Sequence, residues 1–487
     1  KPHTEGPLMR TLLPLAAPLA ATLAALLAAC ATNPVTGKSE LSLYSESQEI
    51  AMGKQSAASV DQTVGLYPDS GVQRYVSALG HSLAAHTERP NLPWQFHVVD
   101  DPTVNAFALP GGFIFVTRGL LTHVNDEAEL ATVVGHECGH VAAKHSVNLM
   151  TQEELMTAGL AVGMAVNKTI ARYGAYAQQG LQILFLQFSR DDEAQADQLG
   201  FKYALADSFD VRQMAPMFQM LDGITQMSGS RIPEWQSTHP LPKNRLAATQ
   251  ARVAQTNVDW TRLKVGRAEY LRMIDGMVYG DDPRNGYFEG TRFVAPALRF
   301  EMTFPPGWQT ANRADAVLGA SASGDAAIVL RTAPGNAQQA EQRFAQTQGL
   351  RTAAPSFGSV HGLPATSVDF QLAEQDTTQP PVRGRALFVQ HGGATYQLLG
   401  YTTMDKWYLY EPAFTQALSS FAEVTDPKVL GVQPARVRVV TLPHAMTLAQ
   451  FNAAYPSSIG LRELAVMNGL DSAAVIPAGT MVKRVVK

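Results

Sequence analysis

The chain has 487 residues, of which 46% are hydrophobic and 16% charged. This is the composition of folded protein with buried cores, and the length suits roughly two to four domains. Intrinsic disorder is excluded. The formal net charge is -4, with 38 basic and 42 acidic residues interspersed. The basic footprint that a phosphate backbone demands is missing, which excludes nucleic acid as a partner.

From Met9 the chain reads MRTLLPLAAPLAATLAALLAAC: one Arg, a long Leu/Ala run, then small residues before Cys30. This is the pattern of an export signal, with the residues before Met9 as an upstream remnant. A transmembrane anchor is the other reading of the same run. The closing LAAC resembles the lipobox of bacterial lipoproteins, whose Cys becomes the acylated first residue. That resemblance implies lipidation at Cys30, a membrane anchor and a periplasmic protein, with Ala31 directing it to the outer membrane. Cys138 is the only other cysteine; with Cys30 acylated it has no intrachain partner, and it reads as a small buried residue.

Residues 34–53 form a polar lead-in that passes into a helical pattern. The apolar spacing of 73–88 predicts a helix, and the alternation of 94–100 a strand. In NAFALPGGFIFVTRGLL (105–121) a Pro-Gly-Gly turn separates two short apolar runs, which predicts a hairpin leading to a helix. Asp126 followed by Glu129 is a capping-box-like start, so the next helix is expected from there to about His145. Residues 155–167 are apolar but too short to span a bilayer, and read as a buried or cleft-covering helix.

The helix after Asp126 carries VVGHECGHVAAKH (133–145). His136 and His140, four apart, share a face one turn apart and can reach a single ion, while Glu137 beside them can contact a bound water. A catalytic zinc needs a further protein ligand and an open position. His145 does not supply it: an extended metzincin pattern needs Gly at 143 and His at 146, where Ala143 and Ser146 stand. It reads instead as a helix-end histidine near the negative end of the dipole. FSRDDEAQADQLG (188–200) offers Glu193 and Asp197, again four apart on a helical pattern. One carboxylate can bind the metal while the other accepts the free N–H of a ligand histidine; by itself such a pair is a solvated face. STHPLPKNR (237–245) adds His239 and Arg245, cations that could stabilise an oxyanion, or a plain His-Pro turn.

Past about residue 276 the texture becomes rich in Gly, Asp and turn formers, and then alternates as strands do. A second, antiparallel α+β domain is expected over 290–425, with a helix at 337–348 and no clustered chemistry. Residues 426–435 read as a linker, and 436–487 as strand, helix, helix, strand. The expected domains are thus 1–29 (remnant and signal), 30–275, 276–435 and 436–487. The fold class is multidomain α+β: a mainly helical zincin domain with a small sheet, an antiparallel α+β domain and a small βααβ unit.

In order, HECGH, SRDDEAQAD and STHP with a following Arg resemble the zinc metallopeptidase (gluzincin) family of HtpX and the CAAX prenyl endopeptidase, over about residues 33–265. The likeness includes the lead-in NPVTGKSELSLYSESQEIAMG and the segment NAFALPGG, and is closest to the soluble, BepA-like periplasmic branch. Gln195 departs from it, standing where members often have a second Glu. The resemblance implies one Zn2+ per chain held by His136, His140 and Glu193, with Glu137 as general base and Asp197 orienting a ligand imidazole. It implies oxyanion stabilisation by His239 or Arg245, or alternatively His239 as a fourth ligand that latches the site. Substrate would lie extended against Asn105, Ala106, Phe107 and Ala108, or against 113–116, which selects unfolded or misassembled envelope polypeptides. The tail resembles a divergent LysM module and so implies peptidoglycan binding, or a purely structural cap. The competing function is a non-catalytic assembly factor or cell-wall scaffold with a structural or closed zinc site.

Overall fold

The computed structural model describes residues 30–160, 187–228, 235, 239, 244–372, 381–471 and 473–487. The leader and the second half of the apolar 155–167 segment lie outside these. Among the described residues no helix is long and apolar enough to cross a membrane.

The first part of the chain is helical around a small sheet. Helices α1 (Glu46–Thr63) and α2 (Ser70–Ala84) precede strand β1 (Gln95–Val99). Ser45 and Asp69 begin the helices, each accepting backbone N–H groups through its side chain. The expected hairpin forms β2 (Ala106–Leu109) and β3 (Phe113–Thr117), and helix α3 (Arg118–His123) follows at once. β3 is the middle strand, parallel to β1 and antiparallel to β2. Both of its edges are therefore taken, and 113–116 has no free edge for an extended partner; β2 is an edge strand.

The motif helix, α4 (Glu127–Ala142), starts where the capping pattern put it: the Asp126 side chain accepts from the Glu129 N–H. The Glu129 carboxylate takes the N–H of Asn125 rather than that of Asp126. Every residue of α4 is buried, as expected of a helix packed on all sides. It ends three residues before the expected stop, because Lys144 adopts a left-handed φ of 59° and His145 begins a new helix, α5 (His145–Leu160). The lead-in secures this end. Asn33 donates to the Ala143 carbonyl at 3.1 Å, and the buried Arg89 donates to the Val141 carbonyl at 3.0 Å while pairing with Glu49 at 2.8 Å. Cations and amides at the last carbonyls suit the negative end of a helix.

Helix α6 (Arg190–Ala206) crosses α4, and α7 (Met214–Ser228), α8 (Arg245–Gln255) and α9 (Arg267–Ile274) complete the shell. The second part is antiparallel, as the alternation predicts. An eight-stranded sheet is centred on three long strands, Leu363–Leu372, Val382–His391 and Ala394–Thr403, with helix Ala337–Ala345 and helix Trp407–Ser419 packed on it. A four-stranded sheet adjoins it. The tail has the expected strand, helix, helix, strand order, with Arg436–Thr441 paired to Met481–Val486 and helices Leu448–Ala454 and Leu461–Asn468 between. It is not a free appendage: Val437, Met467 and Val485 belong to the same buried cluster as Val134, Val141 and Leu199 of the helical part.

Candidate metal centre

The site forms where α4 and α6 cross. Glycines set how closely they approach. A Cβ on Gly200 would lie 2.7 Å from the His136 nitrogen and 3.0 Å from its Cα, and one on Gly139 would lie 3.0 Å from the Leu199 Cβ. This closeness lets side chains from α6 reach the imidazoles of α4. Gly200→Ala is expected to force the helices apart. Overpacking costs about 1–3 kcal/mol, offset by up to about 1 kcal/mol of helix propensity. Denaturant unfolding should show the net loss, and zinc titration a weaker site.

His136, His140, Glu193 and His239 each offer one ligand atom, and these four atoms lie within 4.8 Å of one another; all four residues are buried. Nε2 of His136 and Nε2 of His140 are 3.0 Å apart. Glu193 stands 3.6 Å from the first through Oε2 and 3.4 Å from the second through Oε1. Atoms at zinc-ligand distance from one tetrahedral ion are separated by about 3.3 Å, so the donor set fits that metal in both chemistry and spacing. His239 closes the group, with Nδ1 2.8 Å from Glu193 Oε1 and Nε2 3.7 Å from Glu137 Oε1.

A second layer orients these groups. Nδ1 of His136 meets Asp197 at 3.0 Å. Asp197 in turn takes two hydrogen bonds from Arg245, at 2.7 and 2.5 Å, and Arg245 Nη1 lies 2.9 Å from Glu193 Oε2. With its guanidinium spent on both carboxylates, Arg245 acts in this arrangement on the groups that hold the imidazoles. Burial pushes the Asp197 carboxyl up, but the Arg245 charge and the hydrogen bonds from His136 and Arg245 outweigh it and hold Asp197 below the usual range. Burial pushes Glu137 up, against the lowering fields of His239 and His136. Its Oε2 has no hydrogen-bond partner among the described residues.

His145 departs from the expected helix-end role. It is buried against the site, with Nδ1 2.9 Å from Nδ1 of His140 and Nε2 2.8 Å from Gln195. Phe188 stacks on the His140 ring at 4.0 Å. A cavity of about 50 Å3 opens beside Glu137, bounded by Asn105, Ala106, His136, His239 and Arg245, with an apolar wall from Val133, Met217, Phe218, Leu221 and Trp235. Asn105 and Ala106 thus reach the site, while the Phe107 ring stacks on Phe115 at 5.2 Å within the sheet. The wall residues were not singled out in the sequence; the apolar spacing of Met217, Phe218 and Leu221 marks a packed helix face and does not tell a core from a cleft.

Two imidazoles four apart on one helix, a glutamate between them and a carboxylate from a second helix are the apparatus of a zinc metalloendopeptidase. Comparison with known proteins agrees. Residues 70–253 match Peptidase family M48. The chain is 34% identical over 233 residues to the mitochondrial metalloendopeptidase OMA1 of Danio rerio, covering 44% of this chain and 48% of that protein. It is 30% identical over 238 residues to the beta-barrel assembly-enhancing protease of Yersinia pestis, covering 46% and 47%. With the protein of that name from Escherichia coli (strain K12) it shares 29% over 234 residues, covering 46% and 47%. The chain spans about half the length of the curated relatives it matches.

Proposed function

We propose that this protein is a zinc endopeptidase of the bacterial periplasm, held at the outer membrane by a lipid on Cys30, that cleaves unfolded or misassembled envelope polypeptides. The observation that carries the reading is the buried group of His136, His140, Glu193 and His239 with Glu137 beside it. A bound zinc ion would supply Lewis acidity and a water of lowered pKa. In this reading His136, His140 and Glu193 hold the ion, and Asp197 with Arg245 fixes the His136 ring. Glu137 takes the proton of the attacking water and returns it to the leaving amine.

The edge strand β2, with Asn105 and Ala106 at the cavity, supports an extended substrate that pairs main chain to main chain. Mobile or unfolded segments meet that demand. The names of two relatives point to the assembly of β-barrel proteins, and the Leu/Ala leader ending at Cys30 supports export and lipidation. Binding of the tail to peptidoglycan rests on its βααβ plan alone.

A second reading concerns His239. Its ring nitrogen lies 2.8 Å from Glu193 and within the ligand cluster, which favours a fourth ligand that closes the site at rest. The test is digestion of an unfolded β-barrel protein by zinc-loaded wild type, chelated protein and His239→Ala, with zinc content measured. One zinc per chain and cleavage that chelation abolishes and zinc restores are expected. Higher cleavage by His239→Ala marks a latch, and lower cleavage a stabiliser of the oxyanion. Zinc-free protein, or none of the three cleaving, overturns the enzymatic reading.

A further inference from the structure

His145 stands outside the ligand group yet is tied to it on one side and to Gln195 on the other. The left-handed Lys144 ends α4 and turns the chain so that His145 comes back beneath His140. The ring is 4% exposed, and its two nitrogens have different partners. Nε2 lies 2.8 Å from the Gln195 amide oxygen; Oδ1 of the half-exposed Asp192 is farther away, at 3.5 Å. An amide oxygen only accepts, so this nitrogen carries the ring hydrogen. In a neutral imidazole the other nitrogen is then an acceptor. Nδ1 of His145 faces Nδ1 of His140 at 2.9 Å, so His140 must donate there. One tautomer of His140 remains, with its lone pair on Nε2, the atom that faces His136 and Glu193.

We propose that His145 and Gln195 form a neutral relay that fixes the tautomer and ring angle of His140, the counterpart of what Asp197 does for His136. This rests on the reading of His140 as a zinc ligand. Both are positioning residues, since neither reaches the cavity beside Glu137. The relay uses a histidine and an amide where the His136 side uses a carboxylate and a guanidinium, so it orients its ring without placing another charge next to Glu193. Phe188, stacked on the His140 ring at 4.0 Å and 6.1 Å from that of His145, shields the pair and leaves His140 few alternatives to this acceptor.

The test uses the full chain with His145→Phe, Gln195→Leu, Gln195→Glu and His140→Ala. Zinc affinity is read by competition with a chromophoric chelator, and the geometry of the site by the visible bands of the cobalt(II)-substituted protein. Loss of a group that orients a metal ligand typically costs about 10–100-fold in metal affinity. A loss of that size with altered cobalt bands is expected for His145→Phe and for Gln195→Leu. Gln195→Glu keeps an acceptor for Nε2, at the cost of an added charge, and should hold zinc more tightly than Gln195→Leu does. Gln195→Leu is on a half-exposed helix position, so it reports even if His145→Phe does not fold. Wild-type affinity and bands in His145→Phe and Gln195→Leu, with zinc lost from His140→Ala, overturn the relay alone. Zinc retained by His140→Ala overturns the ligand reading on which it stands.

Discussion

Glu137→Gln is expected to keep its zinc and to lose about 10²–10⁴-fold in the rate of peptide cleavage. The amide matches the carboxylate in size, so the buried pocket around it is not disturbed. None of the closest contacts within the ligand group runs through Glu137; His239 Nε2 stands 3.7 Å from its Oε1. What the substitution removes is the ability to take a proton. The geometry prepares Glu137 to do so, because its side chain is buried and one oxygen is left without a hydrogen-bond partner among the described residues. Leaving a carboxylate oxygen buried and unpaired is costly for a purely structural group, and it is the arrangement expected where that oxygen must meet a water. The measurement is digestion of an unfolded outer-membrane protein by wild type and variant matched for zinc content. Equal rates would show that Glu137 is not the base. No cleavage by either would favour a structural zinc site and the assembly-factor or scaffold reading.

Much of this centre is legible in the sequence because its geometry is local. Four-residue spacing on a helix places His136 over His140 and Glu193 under Asp197, whatever the rest of the chain does. What the spacing cannot carry is the approach of one helix to the other. That depends on Gly139 and Gly200 meeting with no side chain between them, and neither glycine announces its partner. His145 is illegible for a related reason. Continued as a helix, the chain would carry it away from His140, and a single left-handed residue at Lys144 returns it. Nothing in a lysine between Ala143 and His145 predicts a positive φ. Alternation also reveals the strands of the antiparallel part without their order: Ala326–Ala333 pairs with Ala394–Thr403, some 60 residues later, a choice made by packing and not by neighbours in sequence.

Lys483→Met is expected to lower stability by about 3 kcal/mol and to loosen the tail from the helical part. In the sequence Lys483 is one basic residue in the alternating strand Met481–Val486, where lysines usually face water. In the structure it is fully buried. Its ammonium donates to the carbonyls of Thr122, His123 and Val124 at 3.0, 2.9 and 2.8 Å. These carbonyls close the short helix α3, whose negative end favours a cation. The backbone of Lys483 is held as firmly, exchanging both hydrogen bonds with the Asn468 amide at 2.7 and 2.9 Å. One residue therefore joins the tail to the segment that leads directly into Asp126 and the motif helix. Burial pushes the lysine well below its usual pKa, while the fields of Glu129 and Asp126 oppose that shift. Methionine fills much of the volume and spares the cost of burying a charge. It also strands the carbonyl oxygens of Thr122 and Val124, each worth about 1–3 kcal/mol when left unsatisfied, while that of His123 keeps the Asn125 amide at 3.3 Å. The second effect wins because two stranded carbonyls together cost more than burying one amino group whose three hydrogen bonds offset part of its desolvation. Activity should fall as well. Beyond the lock, Val466 of the tail packs within 2.9 Å of where a Cβ of Gly223 on α7 would stand, and α7 supplies Met217, Phe218 and Leu221 to the cavity wall. Thermal and denaturant unfolding of the full chain, with digestion assayed on the same samples, checks both effects; a shift below about 0.5 kcal/mol would show that the ammonium's burial costs as much as its carbonyls return.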